Sequence, residues 1–270
     1  MSNTDMAFAG SIPKIYETYL VPLLFEPYAA HMTKRLTARS LVRLLEVASG
    51  TGVVTRALAN TLDEGVSINA TDLNQAMIDE AELLGTVRPV AWRQADALAL
   101  PFPDEIFDAV VCQFGVMFFP DKAKAFSEAR RVLKPGGVFI FSVWDQIGEN
   151  EFADIITTAL ESVFPSDPPR FLARTPYGYH DCATIERDLI QGGFHKPARI
   201  DTVDERSRAS SPQIPAIAFC QGSPLRNEIE ERDASKLNEA TAIAANAIAQ
   251  RFGPGPVDGK IQAHIVTMEA

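Results

Sequence analysis

The stretch Leu44–Leu58, LLEVASGTGVVTRAL, passes from an apolar run through two glycines into an amphipathic segment. That is the pattern of a buried strand, a tight turn and a helix. In an open parallel sheet, ligands bind beyond the carboxyl ends of the strands, so this turn is the first place to look for a site. Gly50 and Gly52 carry no Cβ, so backbone can lie against a ligand, and the helix that follows offers free N–H groups to an anion. Glycines that serve only the turn are the plain alternative. The dinucleotide fingerprint GxGxxG is incomplete, because Thr55 stands where the third glycine belongs. No GxxxxGK[ST] run is present either, so neither phosphate motif is satisfied.

Outward from that turn, short apolar runs alternate with amphipathic stretches. VRLLEVA, GVSINATD, VRPVAWRQAD, IFDAVVCQF and GGVFIFSVW read as strands, with helices such as NQAMIDEAELL and DKAKAFSEARRVL between them. Such alternation implies a parallel sheet covered on both faces. PARIDTVDERS and GKIQAHIVTMEA read as a closing pair of strands. The first forty residues read as helical, interrupted in VPLLFEP where Pro22 and Pro27 break the pattern. ENEFADIITTALESVF places Phe152, Ile156, Leu160 and Val163 on one helical stripe, and CATIERDLIQGGF is a helix closed by Gly192 and Gly193. One long helical segment is expected from roughly Pro224 to Phe252.

Composition narrows the partners. A chain of 270 residues, 46% of them hydrophobic, can bury a substantial core. Its 25 basic residues face 35 acidic ones, a formal charge of −10, which disfavours a nucleic-acid or anionic-membrane partner. Cys112, Cys182 and Cys220 lie far apart with no CxxC pair, fitting a reducing compartment rather than a disulfide framework or zinc site. The four histidines show no metal spacing. No stretch reaches the roughly 18 apolar residues of a membrane span, and the opening residues lack a signal-peptide core. The expectation is a cytoplasmic protein with no metal, no nucleic-acid partner and no stable membrane insertion.

Two carboxylates add to the glycine turn. Asp72 ends the second strand, where a carboxylate can accept hydrogen bonds from both ribose hydroxyls of an adenosine cofactor; its alternative is to cap the helix LNQAMIDEA. Asp96 follows the third strand and can accept from an adenine amino group, although Asp also commonly begins turns. Taken together, EVASGTG, NATDLN, QADALALPFPDEIFDAVVCQFGVMFF and ARRVLKPGGVFIFSVW resemble, in order and spacing, the successive motifs of class I S-adenosylmethionine-dependent methyltransferases. The resemblance is strong over roughly Val42 to Trp144 and points to the branch that includes ubiquinone/menaquinone-type enzymes. Ala48 departs from it, since family members often carry a further glycine there, and Ser49 replaces a common cysteine.

The resemblance implies an α/β, Rossmann-like seven-stranded sheet of order 3-2-1-4-5-7-6, with the last strand antiparallel and helical cap elements. It implies S-adenosylmethionine as cofactor, S-adenosylhomocysteine as product and a small-molecule acceptor whose O-, C- or N-nucleophile the sequence leaves open. Glu46, Ala48, Ser49, Gly50, Thr51 and Gly52 would underlie the methionine portion. Asp72, Leu73 and Met77 would surround the ribose, and Asp96, Ala97 and Leu98 would recognise adenine. Gln113 and Phe114 would face the reactive methyl. On this reading residues 1–40 are an N-terminal lid, 41–206 with 256–270 the cofactor domain, and 146–180 and 207–255 cap insertions.

Tyr16 and Tyr19 are expected to line the cofactor from the lid, with Phe25, Tyr28, Tyr177 and Tyr179 shaping the acceptor pocket; packing of the helix on the sheet is the alternative for these rings. His180, in TPYGYHD, is the candidate proton acceptor, since His exchanges protons near pH 7. Its alternative is a solvated neighbour of a helix cap at Asp181. Two rival functions stand beside methyl transfer: a non-catalytic adenosine-cofactor-binding regulatory protein, and an NAD-dependent oxidoreductase, which the missing third glycine disfavours.

Overall fold

The computed structural model describes Phe8 and residues 10 to 270. In chain order it contains α1 (Ile12–Ile15), a π-helix (Tyr16–Phe25), α2 (Glu26–Lys34), β1 (Arg43–Val47), α3 (Val53–Thr61), β2 (Ser67–Asp72), α4 (Gln75–Leu84), β3 (Ala91–Gln94) and β4 (Phe107–Gln113). There follow α5 (Lys122–Val132), β5 (Leu133–Trp144), α6 (Glu151–Ala159), α7 (Phe171–Arg174), α8 (Cys182–Gln191) and β6 (Arg199–Ala209). The chain closes with α9 (Gln213–Gly222), α10 (Leu225–Asp233), α11 (Leu237–Phe252) and β7 (Val257–Glu269).

The seven strands form one sheet of order β3-β2-β1-β4-β5-β7-β6. β1 runs parallel to β2 and β4, in a register that sets Glu46 opposite Ala70 and Val111. β2 pairs parallel with β3 and β4 with β5. Against β5, β7 is antiparallel: Gly136 donates to the Ala270 carbonyl while Asp145 donates to that of Gln262. The expected order and reversed last strand are thus observed. β1 and β4 sit mid-sheet, which explains their near-continuous apolar sequences: Leu44, Leu45, Val110 and Val111 are all fully buried. β3, at one edge, is mostly exposed and shorter than its sequence suggests.

Two sequence expectations change. Pro22 and Pro27 do not break the N-terminal helix. Pro22 lies inside the π-helix, where the wider i→i+5 register changes which N–H groups are called on, and Pro27 follows directly where the π-helix passes into α2. The long segment expected from Pro224 to Phe252 is two helices. The Asp233 carboxylate accepts from the Ser235 N–H and starts a short 3-10 turn between α10 and α11.

The chain divides into two compact units. The sheet unit comprises Tyr28–Val143, Tyr179–Val203 and Ala263–Ala270. Its core includes Leu44, Leu58, Ile68, Phe126, Phe139, Phe141 and Phe194. The helical unit comprises the described residues up to Pro27 together with Trp144–Gly178 and Asp204–Gln262. There α9 packs on α1, the π-helix and α11, and the approach to α1 is close because Gly222 lacks a side chain: a Cβ there would lie 3.0 Å from a side-chain methyl of Ile15. Among the described residues, no helix is long and apolar enough to cross a membrane.

Candidate functional site

Three strand ends build the site, all within the sheet unit. After β1 the backbone turns through Ala48 (φ +54°), Gly50 (φ +54°) and Gly52 (φ +87°) before α3 begins. Glycine reaches this region freely, but Ala48 is held there at a steric cost, as is Phe114 (φ +52°) just beyond β4. Strain of this kind persists where surrounding structure over-determines it, and it gathers at functional sites. The two strained residues are neighbours across the turn. A Cβ on Gly115 would sit 2.5 Å from the Ala48 methyl and 2.7 Å from the Cys112 Sγ, so Gly115 is what lets the loop after β4 approach the glycine turn.

Asp72 ties the second strand end to the first. Its Oδ2 accepts the Gly50 N–H at 2.8 Å, and its Oδ1 accepts the Asn74 N–H at 2.8 Å. The N-cap of α4 is Asn74, so Asp72 is not the helix cap that the sequence left open. The turn is fastened further by Ser49 N–H to the Thr71 carbonyl, 2.9 Å, and by Arg56 Nη1 to the Thr51 carbonyl, 2.6 Å. Gly52 also needs its lack of a side chain, since a Cβ there would lie 2.8 Å from the Trp92 ring on β3.

Glu46 lies one turn deeper, buried on β1, with Oε2 accepting the Thr55 hydroxyl at 2.5 Å. Desolvation raises its pKa from 4.5 to about 8, with the Asp72 charge adding to the rise and Thr55 and Arg56 opposing it. Burial raises the Asp72 pKa as well, against the hydrogen bonds from Asn74 and Gly50. Two buried carboxyl groups behind a glycine turn favour a ligand that brings positive charge. The Ser49 hydroxyl is buried with no hydrogen-bond partner among the described residues, an unmet polar group in the same turn.

The third strand end carries Asp96, exposed, with Oδ1 accepting the Leu98 N–H at 2.8 Å; Ala97 is buried and Leu98 half-buried. The Ala95 N–H donates to the Asp72 carbonyl, linking this loop to β2. Leu73 is exposed and Met77 buried, both beside Asp72 in sequence. Gln113 is half-buried, and Phe114 is fixed by its N–H to Ser142 and by an edge-on contact with Tyr28 at 5.2 Å.

The aromatic residues singled out from sequence fall into separate groups. Tyr28 is fully buried in the sheet unit, and its hydroxyl donates to the Val203 carbonyl at 3.1 Å. Tyr179 is also committed there: its hydroxyl donates to Asp188 at 2.8 Å and its ring lies under the Lys122 ammonium at 4.7 Å. In the helical unit, Tyr16 stacks on Phe25 at 5.0 Å, Phe25 meets Trp144 at 6.3 Å, and Trp144 meets Tyr177 at 5.7 Å, a continuous run of rings. Tyr19 is half-buried on the π-helix. His180 is half-buried, and the adjacent Asp181 caps α8 through the Ala183 and Thr184 N–H groups, as the plain alternative for this loop has it. Thr55, Trp92, Gly115 and Ser142 were not singled out from sequence. Thr55 had a signal, since it occupies the third glycine's place with a hydroxyl directed at β1.

Residues 45–141 match the family model described as a methyltransferase domain, from β1 through the glycine turn to β5. Over that segment the chain carries a methyltransferase domain of the class I S-adenosylmethionine-dependent type. A ubiquinone/menaquinone biosynthesis C-methyltransferase of Ectopseudomonas mendocina is 30% identical over a match that covers 57% of this chain and 65% of that protein, just under two thirds of its length. Among solved structures, a phosphoethanolamine N-methyltransferase 2 of Haemonchus contortus superposes with a TM-score of 0.58 at 17% identity, covering 95% of this chain and 56% of that one. That structure contains S-adenosylhomocysteine and phosphomonomethylethanolamine. A [4+2]-cyclase superposes with a TM-score of 0.55 at 18% identity, covering 90% of this chain and 80% of that one. Likeness at such identity speaks for the fold, and a fold hosts more than one chemistry.

Proposed function

We propose that this methyltransferase binds S-adenosylmethionine at the ends of β1, β2 and β3 and transfers its methyl group to a small-molecule acceptor. The observation that carries the reading is the glycine turn hooked onto Asp72, with the Glu46 carboxyl and the unmatched Ser49 hydroxyl behind it. These groups suit the cofactor's chemistry. The Asp72 carboxylate stands at the strand end to accept from ribose hydroxyls, Glu46 meets the methionine ammonium, and Asp96 accepts from the adenine amino group. When bound, the cofactor supplies an activated methyl on a sulfonium, so the protein's share is alignment, exclusion of water and removal of a proton where the acceptor needs it. Gln113 and Phe114, held by Ser142, are our candidates for the reacting end.

Phe25, Tyr28, Tyr177 and Tyr179 are our candidates for acceptor recognition, and Tyr16 and Tyr19 for cofactor recognition. His180 is the proposed proton acceptor. The nucleophile class stays open between O, C and N, and the C-methyltransferase relative makes a carbon nucleophile the first to try. A turnover screen of quinol, phenol, amine and fatty-acyl acceptors with methyl-labelled cofactor tests the activity. Cofactor binding with no transfer to any acceptor class would favour the regulatory reading instead.

A further inference from the structure

We infer that Glu128 and Arg131, one turn apart on α5, are a positioning pair that sets the loop proposed to read adenine. The inference rests on the cofactor reading above and concerns residues that the reading leaves unused. Between β3 and β4, residues 95 to 106 have no helix or strand to hold them. Their main-chain groups need other partners, and α5 supplies them.

Glu128 is buried, with Oε2 accepting the Leu100 N–H at 2.9 Å. Arg131 donates through Nη2 to the Leu100 carbonyl at 2.9 Å and through Nη1 to the Phe102 carbonyl at 2.7 Å. The pair is itself a two-point fork: Arg131 Nε reaches Glu128 Oε1 at 2.9 Å, and Nη2 reaches Oε2 at 2.8 Å. Nη1 also meets the exposed Asp104 at 2.7 Å, and Lys124 stands 3.5 Å from Glu128. Both main-chain polar groups of Leu100 are therefore held by one ion pair. Upstream, the Ala99 N–H donates to the Asp96 carbonyl at 3.0 Å and the Leu98 N–H to the Asp96 side chain. That short tract runs from Asp96 directly into the clamped Leu100.

The charges fit a permanent clamp. The Arg131 fork holds the Glu128 carboxyl below the usual range, and Glu128 in turn raises the guanidinium. Breaking the fork from the arginine side leaves the buried Glu128 carboxylate without its partner. An adenine-reading loop must hold its N–H groups and the Asp96 carboxylate to a fraction of an ångström for the base to be told from its analogues.

The test compares S-adenosylhomocysteine with S-inosylhomocysteine, its deaminated analogue, by calorimetry on the full chain well below the melting temperature. The wild type is expected to prefer the adenosine form. Arg131→Met should weaken S-adenosylhomocysteine binding about tenfold and move the adenosine-to-inosine ratio toward one. Arg131→Lys should fall between, and Glu128→Gln, which keeps an oxygen for the Leu100 N–H, should retain more selectivity than Glu128→Ala. Loss of fold alone lowers the active fraction for both ligands and leaves the ratio unchanged, so the ratio separates positioning from stability. Asp96→Asn is the control for the reading beneath. If it abolishes selectivity while Arg131→Met and Glu128→Ala preserve it, the clamp is overturned and the adenine assignment stands. If the wild type binds neither ligand, the cofactor reading itself fails.

Discussion

Replacing Glu46 with Gln removes a buried titratable carboxyl from the sheet unit without changing its shape. The carboxyl is buried between the Thr55 hydroxyl and the Asp72 and Arg56 charges, and its pKa is raised from 4.5 to about 8. Between those values the folded protein keeps a proton that the unfolded chain has released, so wild-type stability falls as pH rises from about 4.5 to about 8. At one pKa unit per roughly 1.4 kcal/mol, that proton's retention costs about 3 kcal/mol at pH 7 and about 1 kcal/mol at pH 5. Gln does not titrate, and its amide oxygen still accepts from Thr55. Urea unfolding should therefore find E46Q more stable than wild type by an amount of order 3 kcal/mol at pH 7, shrinking towards 1 kcal/mol at pH 5. The same change should weaken S-adenosylhomocysteine binding, because a cationic amine draws the proton off Glu46 and pairs with the carboxylate. Wild-type affinity should accordingly rise with pH up to about 8 and flatten above it, whereas E46Q affinity should not respond in that window. A variant that is less stable at both pH values, or binds with wild-type pH dependence, would refute this account of Glu46.

Asp72→Ala should cost on the order of 1.5–3 kcal/mol of S-adenosylhomocysteine affinity by calorimetry; it also frees the Gly50 and Asn74 N–H groups, so urea midpoints should fall too. Ala48→Gly should stabilise by up to about 1 kcal/mol, since it releases a residue held at φ +54°. Gly115→Ala should destabilise by several times that, its methyl being forced onto Ala48 and Cys112, and the Ala48→Gly, Gly115→Ala double variant should recover part of the loss; additive losses in the cycle would mean the two loops are not in contact as described. His180→Ala should lower turnover with little change in cofactor affinity, the loss shrinking as pH rises and the acceptor ionises unaided.

The sheet was legible because its chemistry is local. Two-sided burial writes β1 and β4 as apolar runs, and the glycines after β1 mark two of the three positive-φ positions in that turn. The reach of single side chains was not legible. Nothing in the sequence says that Asp72 faces the Gly50 N–H, or that Glu128 and Arg131 turn toward Leu100 across nearly thirty residues, since these bonds exist only once the strands are in register. The N-terminal helix was misread for a related reason. Proline's missing N–H forbids an ordinary α-helical bond, and the π register that accommodates Pro22 leaves no pattern in the sequence. Tyr179 was singled out as an aromatic near His180, but a phenol's partner is tertiary, and Asp188 on α8 has claimed it.

The most direct test of the central claim is calorimetric titration of the full chain with S-adenosylhomocysteine and, in parallel, with NAD. The account predicts saturable one-to-one binding of S-adenosylhomocysteine, lost or sharply weakened in Asp72→Ala, and no binding of NAD. Tight NAD binding with no heat from S-adenosylhomocysteine would contradict it.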